Sequence, residues 1–269
     1  PAASTGAGTP QLRLVDVSAD VLMAAAASSE RDESISTLQA GGHDPNARGF
    51  TLEQMELSLC GAIDPYFTGE IHTVSFIDAA GETGYELEEA FATTQSLPYG
   101  LQIEAGHFFT EFGRINPQHP HQWNFLDQPV VHSRMFGGDG MRQTGVRLGW
   151  LTPLPWYSEF HLGAQNAKGE TMASFLGEPP AGANGNAGSE RSPVHELLEE
   201  TGIESGIAGR PMVEDEVRSF NDLVYLVRWD NAWELTDTTT AKLGASALFG
   251  PNTTGSDGRT NIYGGDLLL

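Results

Sequence analysis

Apolar and polar residues alternate at every second position along much of this chain. Val15, Val17, Ala19, Val21 and Met23 are interleaved with Asp16, Ser18 and Asp20. A period of two sends one set to one face of a strand and the other set to the opposite face. Met55, Leu57, Leu59 and Ile63 alternate in the same way with Gln54, Glu56, Ser58 and Asp64. Trp156, Phe160 and Leu162 oppose Glu159, His161 and Gln165, and Leu223, Tyr225, Val227 and Trp229 oppose Asp222 and Arg228. Ala241, Leu243, Ala245, Ala247 and Phe249 oppose Thr240, Lys242 and Ser246. The stretch from Glu70 to Asp78 is mixed, with Ile71 and Ile77 on one side and Val74 and Phe76 on the other. Ten strands are predicted, near 11–27, 49–63, 66–78, 85–95, 100–111, 141–152, 156–167, 219–230, 233–250 and 259–269.

Loop lengths follow a parity. Tight connections at Asp64-Pro65-Tyr66, Ser96-Leu97-Pro98-Tyr99, Thr152-Pro153-Leu154-Pro155 and Asp230-Asn231-Ala232 carry Pro and Asn, which preset turn geometry. The intervening connections are mostly long and polar, near 28–48, 79–84, 112–140, 168–218 and 250–258. Short turns at one end and long loops at the other is the layout of outer-membrane barrels. Tyr66, Phe67, Tyr99, Trp156 and Trp233 sit at the short turns, where an interfacial aromatic girdle belongs. Inside 168–218, Ser192-Pro193, then Val194 to Glu200 and Gly202, predict one short capped helix.

Composition supports a barrel over a soluble core. Only 39% of residues are hydrophobic. No apolar run approaches the roughly 18–20 residues of a membrane-spanning helix, whereas a barrel strand needs only about 9–11 with alternate ones apolar. The net charge is −22, from 36 acids against 14 bases, and the lysines are Lys168 and Lys242. Such a surface repels phosphate backbones, which excludes nucleic-acid partners, and concentrates cations at its openings. The lone Cys60 excludes an internal disulfide and is expected to be a small packing residue. The chain reads as a single barrel domain over 1–269, starting at Pro1 as a processed or truncated product and ending in an unfinished strand, Asn261 to Leu269.

Three stretches carry a family resemblance. They are Ile63-Asp64-Pro65-Tyr66-Phe67; Glu88-Glu89-Ala90-Phe91 through Leu97-Pro98-Tyr99-Gly100-Leu101 to Gly106-His107-Phe108; and Phe112-Gly113-Arg114-Ile115-Asn116 through His119-Pro120-His121 to Trp123-Asn124-Phe125-Leu126-Asp127-Gln128-Pro129. Over about 49–170 the chain resembles porin-like bacterial outer-membrane proteins related to the phosphate-selective porin superfamily, some labelled zinc-regulated outer-membrane proteins. The resemblance implies an all-β, antiparallel transmembrane barrel of 16 strands, of which about ten are in this chain, assembled as a homotrimer in a Gram-negative outer membrane. It also implies a periplasmic N-terminus, further strands ending in an aromatic residue, and a third outer loop folded into the barrel as a constriction. Phosphate-selective members line their pores with many lysines and arginines; with only Lys168 and Lys242, this chain departs from that pattern.

Candidate chemistry concentrates in 112–140 and the strands around it. His119 and His121, two positions apart, point the same way if extended, and His107, His132 and Asp127 lie near in sequence. Imidazoles with a carboxylate suit Zn²⁺ or another divalent cation, although the spacing matches no zinc signature. Hydrogen-bonded loop anchors are the alternative. Arg114, Arg134, Arg142 and Arg147 face Glu56, Glu104 and Asp127, either as a transverse field across a pore or as salt bridges locking the loop. Together with Asn116 these residues are the expected pore lining. Glu86, Glu88 and Glu89 have no partner legible in sequence, and Gly137-Gly138-Asp139-Gly140 reads as a loop exit. No nucleophile elbow, phosphate loop or metalloprotease helix is present, so no enzyme is expected. The expected function is passive diffusion of small hydrophilic solutes or ions, with outer-membrane lipids and lipopolysaccharide as surroundings. The alternative is a non-transporting outer-membrane or secreted β-protein that binds metal ions or a partner.

Overall fold

The computed structural model describes residues 15–32, 34–35, 41–42, 47–77, 81–177, 216–255 and 257–269. They form β1 (Val15–Ala26), β2 (Gly49–Ala62), β3 (Phe67–Ile77), β4 (Thr83–Thr94), β5 (Leu101–Phe109), β6 (Arg142–Leu151), β7 (Tyr157–Asn166), β8 (Leu223–Thr236), β9 (Thr239–Pro251) and β10 (Arg259–Leu268). All ten lie in one sheet in chain order, each antiparallel to the next. The chain is all-β, as the alternation predicts. No described helix is long and apolar enough to cross a membrane.

The loop parity holds except between β3 and β4, whose connection is as short as the tight turns. At the tight end, Asp64 Oδ1 accepts from the backbone N–H of Tyr66 (2.7 Å) and Phe67 (2.9 Å), which closes the β2–β3 turn. Before β5, Tyr99 takes a left-handed φ of 64° next to Gly100 at 73°. One predicted turn moves. Asp230-Asn231-Ala232 lies within β8, and the hairpin closes beyond it at Asp237-Thr238. Neighbours hold these turn-prone residues extended: Arg228 Nη2 reaches Asp230 Oδ1 at 2.7 Å, and Trp156 Nε1 donates to Asn231 Oδ1 at 3.2 Å. The helix expected over 193–200 lies outside the described residues.

The sheet is polar on its covered face and apolar on its open one. Gln54, Glu56, Glu104, Gln165, Arg228 and Ser246 are buried on one face. Met55, Leu57, Val146, Leu162, Val227 and Leu243 are exposed on the other. The open face also carries a row of rings across three strands, Trp150–Phe160–Trp229, with centroids 6.2 and 5.6 Å apart. Trp229 Nε1 donates to Ser158 Oγ at 3.0 Å, so that ring is apolar with a satisfied polar tip.

The covered face is covered by the chain itself. The connection between β5 and β6 folds back over the sheet and contains a short helix, α1 (Val130–Phe136). Gly113 N donates to Ser246 Oγ on β9 (3.1 Å), and Phe112 sits on Gly264 of β10, where a Cβ would come within 2.7 Å of its ring. The turn Pro120–Gln122 lies against β1. Phe112 and Pro120 are eight positions apart, at most about 28 Å of extended chain. A flat ten-stranded sheet is about 43 Å wide, and the turn Gln118 N to Ile115 O shortens the path further. The sheet is therefore curled round this segment, although β1 and β10 do not pair with each other.

An apolar cluster fills the curl toward the long-loop end. Phe136, Met141, Met172, Phe175 and Leu176 pack on Val224, Leu226, Leu248 and Ile262, with Phe112 beside them. Gly250 makes room for the Phe175 ring, which a Cβ would meet at 2.7 Å. The inner face of β8 is thus apolar at Val224 and Leu226 and charged only from Arg228, a change within one strand that the alternation does not predict. Cys60, expected to pack, is exposed.

Candidate functional site

Two β-bulges shape the site. Between β3 and β4 the register slips at His72/Thr73, so that Glu88 is the extra residue. A bulge re-aims side chains that would otherwise alternate. Adjacent Glu88 and Glu89 are consequently both buried on the covered face. A second slip at Leu22/Met23 makes Glu53 the extra residue of β2 and buries it with its neighbour Gln54.

His119 fits between the two β4 carboxylates. Its Nδ1 lies 2.9 Å from Glu88 Oε2 and its Nε2 lies 3.0 Å from Glu89 Oε2. With both nitrogens donating to carboxylates, the ring carries two protons. Burial opposes that charge, but hydrogen bonds to Glu56, Glu88 and Glu89 outweigh it and push the pKa up to about 12. Glu89 Oε1 also accepts the Phe109 N–H at 2.8 Å, and the Phe109 ring meets His119 edge-on at 5.5 Å.

Glu56 gathers three imidazoles. Its Oε2 is 3.2 Å from His119 Nδ1 and 3.0 Å from His121 Nδ1, and its Oε1 is 3.2 Å from His72 Nδ1. Ser58 Oγ donates to Glu56 Oε1 and also meets His72 Nδ1, both at 2.9 Å. Glu56 Oε2 and His121 Nδ1 are buried and, although only 3.0 Å apart, are not angled to hydrogen-bond. His119 and His121 do share a direction, as their spacing predicts. Pro120 between them opens a tight turn with His119 extended.

The remaining expected residues divide. Asn116 is buried and staples the ends of the segment: its Nδ2 donates to Thr110 O (2.7 Å) and Met141 O (2.8 Å), and its Oδ1 accepts Met141 N (2.8 Å). Arg147 binds Glu104 (2.8 Å) and Glu111 (2.7 Å). Arg142 is buried against Glu86, donates to Asp139 O at 2.7 Å and lies over the Phe109 ring. These arginines pair with adjacent carboxylates, which is the locking arrangement; Glu104 and Arg147 are cross-strand neighbours and do not face each other across a gap. Arg114 is half-buried, and Asp127 and Arg134 are exposed, away from the cluster. His107 also stands apart: it lies on β5 beside Thr144 Oγ1 at 3.4 Å, in phase with exposed Ile103 and Val146. His132 packs edge-on against Phe136 at 5.1 Å, and burial alone lowers its pKa to about 4.

The sequence reading missed His72, Glu88 and Glu89 as members of the cluster. It also missed Arg228, which binds Asp230 and Asp266 (2.7 and 2.8 Å) and Ser246 Oγ (2.7 Å).

No protein-family model matches the chain, and no solved structure matches it. A stretch of 140 residues, half of the chain, is 42% identical to an uncharacterized protein of Aquifex aeolicus (strain VF5). That stretch spans 28% of the Aquifex protein, so the chain matches well under half of that relative's length.

Proposed function

We propose that the sheet is wall of an outer-membrane β-barrel and that the protein is a porin-like channel through which small hydrophilic solutes or ions diffuse, with 112–140 as its constriction. The observation that carries this reading is the inversion of the faces. Glu56, Glu104 and Arg228 are buried inside the curl, while Val146, Leu162, Val227 and Leu243 are left open outside. Water around the outer face would oppose that arrangement, since an open apolar surface larger than a few hundred Å² is rare on a soluble monomer. Hydrocarbon around it favours it. The ring row Trp150–Phe160–Trp229 suits a membrane interface.

In lipid every backbone group must be paired, so the free edges of β1 and β10 need strands beyond the described residues. Outer-membrane lipid and lipopolysaccharide are the expected surroundings, and a homotrimer the expected assembly. The excess of acids predicts cation preference. The apolar cluster around Phe136 and Phe175 favours a second reading, a barrel closed by its own loops that conducts nothing. Planar-bilayer recording of the full-length protein separates the two. Stepwise, steady current with a cation-selective reversal potential is expected; silent insertion would replace the channel with the closed barrel.

A further inference from the structure

The His–Glu cluster has the donor set of a metal site. We propose that Glu56, His72, His119 and His121 bind one borderline divalent cation, of the Zn²⁺ class, and that this ion fastens the 112–140 segment to the β2–β4 wall. Ligand atoms of Glu56, His72 and His119 all lie within 4.8 Å of one another. His121 Nδ1, 3.0 Å from Glu56 Oε2, stands beside this group as a further donor. Around a tetrahedral ion with bonds of about 2.0–2.1 Å, neighbouring donor atoms stand about 3.3 Å apart. Glu56 Oε2 stands 3.2 and 3.0 Å from Nδ1 of His119 and His121, close to that spacing, and its other oxygen, Oε1, stands 3.2 Å from His72 Nδ1.

Two further features point to a ligand. Glu56 Oε2 and His121 Nδ1 are buried side by side, 3.0 Å apart, but not angled to satisfy each other by a hydrogen bond. Unsatisfied buried polar atoms are costly and rare, and an ion between them would satisfy both. The ion would replace the His119 Nδ1 proton, which goes to solvent and which Glu88 holds in the metal-free protein, while Glu89 keeps the far nitrogen at 3.0 Å, the carboxylate–imidazole arrangement that orients a metal-bound histidine. Three imidazoles and a carboxylate favour Zn²⁺, Co²⁺, Ni²⁺ or Cu²⁺ over Mg²⁺ or Ca²⁺, which prefer oxygen alone. The ligands come from β2, β3 and the inward segment, so one ion would cross-link three pieces of chain. Binding does not depend on whether the barrel conducts.

The test uses full-length, tag-free protein in detergent, stripped with chelator and titrated with Co²⁺. Visible absorption reports coordination, and elemental analysis after Zn²⁺ loading reports stoichiometry. One equivalent per chain is expected, with the intense bands of four-coordinate cobalt. His72→Ala and His121→Ala should each weaken binding by on the order of 100-fold, and His107→Ala should leave it unchanged. Zn²⁺ should also slow amide exchange in 112–140 of the wild type and not in the double variant His72→Ala/His121→Ala. Wild-type protein that takes up no more cobalt than the double variant would overturn the site and leave the cluster as a hydrogen-bonded anchor. His119→Ala is a poor probe, because it strips the cation from Glu88 and Glu89 and endangers folding.

Discussion

The two flanks of the inward segment are held by opposite chemistry. Against β2–β4 it is held by directed polar contacts, with His119 between Glu88 and Glu89 and His121 against Glu56. Against β8–β10 it is held by oil: Phe112, Phe136, Met172 and Phe175 on Val224, Leu226, Leu248 and Ile262. Each large apolar side chain buried on the second flank contributes about 1.5–3 kcal/mol and tolerates small shifts. The first flank gains little by forming, because desolvating charges offsets their attraction, yet losing one partner is expensive. The apolar flank therefore supplies most of the holding, and the charged flank fixes register and orientation.

The largest expected effect comes from breaking the charged flank by halves. His119→Ala leaves Glu88 and Glu89 buried without their cation and should cost about 3–5 kcal/mol. Adding Glu88→Gln and Glu89→Gln should recover a substantial part of that loss, since the orphaned charges go with the substitution. Phe136→Ala on the other flank should cost about 3 kcal/mol through lost burial and a cavity, and the same two glutamines should not restore it. Denaturant unfolding in detergent measures all of these. Equal rescue of both variants would erase the distinction between the flanks.

A pH experiment sharpens the contrast on the apolar side. His132 packs against Phe136, and burial lowers its pKa from 6.5 to about 4. As pH falls below 6.5 the unfolded chain takes up this proton first, so stability is full above about 6.5 and is lost on the way down to about 4. At about 1.36 kcal/mol per pH unit, the loss is on the order of 3 kcal/mol. His132→Phe should remove this contribution while leaving the acid response of the carboxylates in place. Parallel stability curves for the two proteins between those pH values would mean that the ring is solvated.

What could be read from sequence follows from what repeats. A face that meets one medium along a whole strand leaves a period-two signal, so the sheet and the phases of Met55, Val227 and Leu243 were legible. His119 and His121 were legible as a pair because two positions along an extended chain restore direction. Single-residue irregularities erase that signal. Glu88 and Glu89 read as opposite faces until the bulge at His72/Thr73 turns both inward. His72 shares its phase with Val74, which is buried, so no polar face appears there. The seven-residue helix α1 is too short for a period to show, and it leaves Arg134 pointing outward. Asp230 and Asn231 look like a turn because their strand-holding partners, Arg228 and Trp156, are supplied by packing.

The smallest expected effect belongs to the residue that serves both flanks. Asn116 ties Thr110 to Met141 where the segment leaves and rejoins the sheet. In Asn116→Ala, Met141 O keeps the Thr110 N–H at 2.9 Å and Thr110 O keeps the Phe112 N–H at 2.7 Å, so the group left without a partner is Met141 N. One such group, partly rescued by water, should cost about 1 kcal/mol. The consequence should be spread evenly if the segment moves as one body. Amide exchange should then quicken together at Met141, beside the oil, and at His119, between the carboxylates. Faster exchange at Met141 with His119 unchanged would show that the charged flank grips its end of the segment independently, and the two chemistries would then be separate clamps on separate pieces of chain.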